Sequence, residues 1–155
     1  MCHKITAKFT EMKPIMIFLL ASLFSSAIYS QTTTYSSTKG IAIKGYDPVA
    51  YFEQQKAVEG SKELTFEWSG SKWRFVSQAN LEKFKLSPQK YAPQYGGYCA
   101  YGCSENHKAP TDPNAWTIAG DKLYLNYYIE TREAWLKDTA NRIKTADEYW
   151  PNLNK

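Results

Sequence analysis

The sequence predicts a small α+β domain in which antiparallel β-hairpins pack against about three to four short helices. Two segments of alternating apolar and polar residues, each interrupted by a glycine-containing turn, predict the hairpins. A stretch near the C-terminus, with apolar residues at helical spacing, predicts the longest helix. Once the N-terminal segment is set aside, residues 31–155 have the length of a single domain with one modest core.

The first 30 residues predict a secretory signal peptide. The apolar stretch 15–28 is shorter than the roughly 20 residues of a membrane span, three lysines precede it, and small residues follow it. Met12 is an alternative start, because the residues after it form a complete signal peptide. We expect a signal peptide at 1–30, a flexible leader at 31–39 and the domain at 40–155, in a secreted or periplasmic protein. The alternative is an uncleaved membrane anchor.

The charge balance excludes a nucleic-acid-binding protein. Removing three lysines and one glutamate with the signal leaves 16 basic and 14 acidic residues, a net charge of +2. No basic run is present, whereas a nucleic-acid footprint requires a clustered positive charge. We therefore expect no nucleic-acid partner and no stable membrane span after signal cleavage.

The first hairpin is predicted by LTFEWSGSKWRFV, residues 64–76. Phe66 and Trp68 alternate with polar residues before the Ser-Gly-Ser turn, and Trp73 and Phe75 alternate with polar residues after it. Strand side chains point alternately to opposite faces, so these four rings are expected to face the core. A Gly-Tyr-Asp-Pro turn at 45–48 precedes this hairpin, between two short apolar segments.

Short helices are expected after the first hairpin. Ser77 is a predicted N-cap for a helix through Phe84, and Pro88 occupies the first position of another helical turn. Residues 107–116 are then expected to form a loop.

The C-terminal part is expected to contain a second hairpin followed by helices. The hairpin turns at Gly120-Asp121, and one long helix covers residues 129–144. The sequence from Thr145 to Glu148 resembles a capping box and predicts a separate final helix that ends at Pro151.

Three segments together resemble the secreted YHS-domain proteins of bacteria: KGYDPVAYF, WSGSKWRFVSQANLEKFKLSPQKYAPQYGGYCA and DPNAWTIAGDKLYLN. The resemblance extends over residues 40–151. It implies an association with heavy-metal handling, because short members of the family carry metal-binding cysteines. In this chain Ala50, Val76 and Asn80 stand at those cysteine positions. Alanine and valine cannot ligate a metal, so the resemblance does not imply that metal site here.

The segment GGYCAYGCSENH, residues 96–107, contains the candidate site residues Cys99, Cys103 and His107. On a continuous helix this spacing would place them along one face. Two thiolates and an imidazole suit Cu(I), and less well Zn(II), which requires four ligands. Two alternatives remain open: a disulfide, which an oxidising compartment favours, and two unpaired structural cysteines. Gly102 makes an unbroken helix to His107 doubtful.

No arrangement of residues suggests catalysis, since His107 is the single histidine after the signal peptide and Asp47, Asp112 and Asp121 stand in turns. The sequence therefore predicts a non-enzymatic binding or accessory protein of the cell envelope, with a transition metal as a candidate ligand. One alternative is a thiol–disulfide redox or copper-delivery role through Cys99 and Cys103. The other is a structural or interaction module whose partner is another envelope protein.

Overall fold

The computed structural model describes residues 35–155, so the predicted signal peptide lies outside the described residues. Four strands form one sheet in the order β1-β2-β4-β3. Their bounds are Ser37–Thr38 for β1, Ile41–Ala42 for β2, Ser61–Trp68 for β3 and Ser71–Phe75 for β4. All neighbours are antiparallel except β2 and β4. The segment 31–39, which was expected to be a flexible leader, thus includes the short strand β1.

The first hairpin, β3 with β4, confirms the sequence prediction. Phe66 pairs with Trp73, and the chain turns at Ser69 and Gly70, both with positive φ. Two positive φ values match the right-handed twist of the flanking strands. Trp73 and Phe75 are fully buried, while Phe66 and Trp68 are half-buried and pack against the same core.

The second hairpin is also confirmed, with its turn at Gly120 and Asp121. Its strands are β5, Asp112–Ala119, and β6, Lys122–Asn126. β5 begins inside the segment 107–116 that was expected to be a loop. The strand register shifts between Asp112 and Trp116. Because the pairing is irregular there, apolar and polar residues do not alternate regularly, and the sequence pattern does not indicate a strand.

The described chain contains six α-helices where about three to four were expected. They are α1 (Ala50–Glu53), α2 (Gln78–Leu86), α3 (Pro88–Tyr91), α4 (Ala100–Ser104), α5 (Ile129–Leu136) and α6 (Thr139–Leu153). The expected N-cap is present at α2, where the Ser77 side chain accepts a hydrogen bond from the Asn80 amide at 3.1 Å. Pro88 is the first residue of α3, as predicted.

The prediction for the C-terminal helices was wrong. The chain breaks at Asp138, whose φ of −149° is not helical, and α6 then continues through the supposed capping box and through Pro151. Ala146 on α6 is fully buried, with Ile143 and Trp150 packed on the same cluster. This burial outweighs the local signal to start a new helix at Thr145. Pro151 has no N–H to donate to the Asp147 carbonyl oxygen, so α6 lacks one helical hydrogen bond in its last turn.

The buried residues within 35–155 form two clusters. The first, between the four-stranded sheet, α1 and α2, is centred on Trp73, Phe75, Phe84 and Tyr51. The second comprises Tyr95, Ala100, Cys103, Tyr124, Trp135 and Ala146. The segment between α3 and β5, which holds the candidate site residues, packs on this second cluster.

Within residues 35–155, the helices are all too short or too polar to serve as a transmembrane segment.

Candidate functional site

Cys99 lies immediately before α4 and acts as its N-cap. Its Sγ accepts a hydrogen bond from the Gly102 amide at 3.4 Å, and its thiol approaches the Asn126 Oδ1 at 3.7 Å. The Cys99 amide donates to the Ala109 carbonyl oxygen at 3.0 Å. Burial raises the pKa of the Cys99 thiol, and neighbouring backbone amides oppose that shift in part. These contacts hold the Cys99 side chain in place, while its burial favours the protonated thiol.

Cys103 lies one helical turn later, is buried as Cys99 is, and interacts electrostatically with it. Its amide donates to the Cys99 carbonyl oxygen at 2.9 Å, while its side chain is fully buried in the second cluster beside Tyr124 and Trp135. Burial raises the pKa of the Cys103 thiol to about 12. Both cysteines are free thiols in the structure.

His107 does not continue the helical face that would join it to the two cysteines. α4 ends at Ser104, and Asn106, with φ of 60°, reverses the chain. The His107 amide then donates to the Gly102 carbonyl oxygen at 3.0 Å. The His107 Nε2 lies 3.2 Å from the position that a Cβ on Gly102 would occupy. The expected break in the helix before His107 is therefore confirmed, and the reversal returns His107 to Gly102.

Cys99 and His107 line the same cleft, which we call the Cys99 cleft. Its volume is about 470 Å³, within the range of small-ligand sites. The lining residues are Cys99, Tyr101, Gly102, His107, Lys108, Ala109, Pro110, Tyr127 and Thr131. Cys103 is not among them. The structure thus brings two of the three predicted site residues together and places the third in the core.

Asn126, at the end of β6, was not identified from the sequence. Its side chain is fully buried, and its Oδ1 accepts a hydrogen bond from the Tyr101 amide at 3.1 Å in addition to the contact with Cys99. Its Nδ2 has no hydrogen-bond partner among the described residues. Asn126 is 27 residues from Cys99 in the chain, so only the pairing of β6 with the Cys99 segment reveals this neighbour.

The three positions at which the resemblance implies cysteines surround one buried carboxylate, that of Asp47. Its Oδ1 accepts from the amides of Val49 and Ala50 at 2.8 and 3.3 Å. Its Oδ2 accepts from the Val76 amide at 2.9 Å and from the Asn80 Nδ2 at 2.7 Å. These four bonds join α1, β4 and α2, so Asp47 has a structural role.

Among residues 35–155, no three His, Cys, Asp or Glu side chains form a group that could hold a metal ion. A zinc site requires such a group, because zinc takes at least three protein ligands.

No protein-family model matches the sequence, and comparisons with curated proteins and with solved structures find no match either.

Proposed function

We propose that this chain is an exported, non-enzymatic YHS-type binding protein of the cell envelope, and that it binds Cu(I) in the Cys99 cleft. The supporting observation is that Cys99 and His107 line one cleft while Cys103 is enclosed in the core. The chain that separates the two residues folds back on Gly102, and Gly102 has no side chain that would displace His107.

The ligand chemistry favours Cu(I) over Zn(II). Thiolate and imidazole are ligands that Cu(I) accepts, and a soft ion of low coordination number needs few protein donors. The His107 Nδ1 lies 3.3 Å from the Glu105 carbonyl oxygen. When Nδ1 is protonated it donates to that oxygen, and Nε2 is left with the lone pair that a metal requires. Copper binding would displace the proton of the Cys99 thiol.

The relationship to YHS-domain proteins is supported by the arrangement around Asp47. The resemblance aligns Ala50, Val76 and Asn80 with three cysteines that would share one ion in short family members. In this chain the backbone amides of Ala50 and Val76 and the side chain of Asn80 all donate to the Asp47 carboxylate. The same three positions therefore lie close together in space. The ring of donors thus holds α1, β4 and α2 together without a metal.

A thiol–disulfide role has less support from the geometry. Cys103 is fully buried, and burial raises the thiol pKa of both cysteines, which lowers the fraction of reactive thiolate.

The test is a titration of the reduced protein with Cu(I) against a competing chelator. Cys99→Ser should abolish binding and His107→Gln should weaken it. Cys103→Ser is the matched control, since it makes the same substitution one helical turn away, and it should leave copper affinity unchanged. Undiminished affinity in Cys99→Ser would refute the site. No affinity in the parent protein would refute the copper proposal and favour the interaction-module alternative.

Export is tested separately, by measuring the intact mass of the protein from the cell envelope. The mass should correspond to a chain that begins near Gln31. A mass that corresponds to the full chain would contradict signal cleavage.

A further inference from the structure

A second cleft lies on the four-stranded sheet, between the turn that joins β1 to β2 and the turn that joins β3 to β4. Its volume is about 630 Å³. In strand β4 the side chains of Lys72 and Arg74 alternate with the buried Trp73 and Phe75, so the two cations face the cleft while the rings face the core. We call this the basic cleft. Its lining shares no residue with that of the Cys99 cleft.

The basic cleft has an excess of positive charge. Its charged lining residues are Lys39, Lys62, Lys72, Arg74 and the single acid Glu67. Glu67 lies 4.0 Å from the Lys72 Nζ, at the limit of an ion pair. The other three cations take part in none of the salt bridges formed within residues 35–155. Since the chain after residue 30 has a net charge of only +2, a local excess of three positive charges is a distinct feature of its surface.

Arg74 distinguishes this cleft from an ordinary solvated strand face. It is half-buried, and its Nε is shielded from solvent without a hydrogen-bond partner in the described part of the chain. Gly45 provides the space for its guanidinium group, since a Cβ there would lie 3.0 Å from the Arg74 Nη1. Partial desolvation of the Arg74 cation has an energetic cost, which an anionic ligand in the cleft would offset.

We propose that the basic cleft binds a phosphorylated small molecule or headgroup, with its phosphate held by Arg74 and the neighbouring lysines. The planar guanidinium donates paired hydrogen bonds to phosphate oxygens, and lysines add point charges. The cleft is larger than one phosphate ion and falls within the size range of small-ligand sites, so the phosphate belongs to a larger molecule. Two sources share this chemistry: a soluble phosphorylated sugar and the phosphate headgroup of a membrane lipid.

Calorimetric titration with glucose 6-phosphate, and sedimentation with vesicles containing phosphatidylglycerol, test the two sources. Glucose, which is uncharged, is the control for glucose 6-phosphate. Vesicles of pure phosphatidylcholine, which have no net charge, are the control for the phosphatidylglycerol vesicles. We expect binding to at least one phosphate probe, weaker binding at higher salt, and none to glucose. Binding to glucose 6-phosphate alone would identify a soluble ligand, and binding to the charged vesicles alone would identify a headgroup. Failure of both phosphate probes to bind would overturn the proposal.

Three variants locate the site. The double substitution Lys62→Gln with Lys72→Gln changes two exposed side chains and should lower affinity at least about tenfold, equivalent to about 1.4 kcal/mol. Arg74→Lys retains the charge but removes the planar donor pair, so it should also weaken binding. Lys122→Gln, an exposed lysine of the second hairpin, is the matched control and should have no effect. Unchanged affinity in both the double variant and Arg74→Lys would refute this location.

Discussion

Replacement of Asp47 by asparagine should strongly destabilise the domain. Each carboxylate oxygen of Asp47 accepts two hydrogen bonds, from Val49 and Ala50 on one side and from Val76 and Asn80 on the other. An asparagine side chain has only one oxygen, so in either orientation its NH₂ group faces two donors.

The size of the effect follows from these contacts. A hydrogen bond to a charged group contributes about 1.5–3 kcal/mol, and the loss of two such bonds in a fully buried site should lower the free energy of unfolding by roughly 3–6 kcal/mol. This is a large part of the 5–15 kcal/mol, roughly, that stabilises a typical domain. Asn80→Ala, which removes one of the four donors, should cost about half as much.

The assay is urea denaturation followed by tryptophan fluorescence, with the dependence on urea concentration compared between variants. Asp121→Asn is the matched control, because it removes the same charge from an exposed turn where asparagine accepts the positive φ. It should change the free energy of unfolding by less than about 0.5 kcal/mol. If Asp47→Asn were as mild as Asp121→Asn, the hydrogen-bond network around Asp47 would not have the structural role assigned to it.

Two further predictions concern the two cores. Trp73→Ala should lower the free energy of unfolding by about 3–5 kcal/mol, because the ring is fully buried, whereas Trp68→Ala should cost less, because its ring is half-buried. Urea denaturation measures the loss of unfolding free energy in each variant. A larger loss for Trp68→Ala than for Trp73→Ala would contradict the difference in burial. Burial raises the pKa of Tyr124 to about 12, against about 10 in an unfolded chain. Below about pH 10 the Tyr124 phenol is protonated in both the folded and the unfolded chain, and its contribution to stability is complete. Between about pH 10 and 12 the unfolded chain loses the proton first, so this contribution is progressively lost as the pH rises. Tyr124→Phe should reduce that loss in denaturation series at several alkaline pH values, and an unchanged pH dependence would exclude the contribution of Tyr124.

The sequence alone determined the elements whose signals are local. The alternation of apolar residues about two glycine-containing turns was sufficient to predict both hairpins, because side-chain direction in a strand has a period of two. The Ser77 cap and the Pro88 start were also predicted, since each acts through the backbone of its own helix.

Only the tertiary structure decided the long C-terminal helix and the composition of the candidate site. α6 continues through Thr145 and Pro151 because its apolar face is buried against the second core cluster, and that burial outweighs the local capping signal. The spacing would place Cys99, Cys103 and His107 along one face of a continuous helix, yet the reversal after α4 brings His107 back to the cleft and packing encloses Cys103. A site formed by residues distant in the chain depends on strand pairing and core packing, which the spacing of residues along a sequence does not contain.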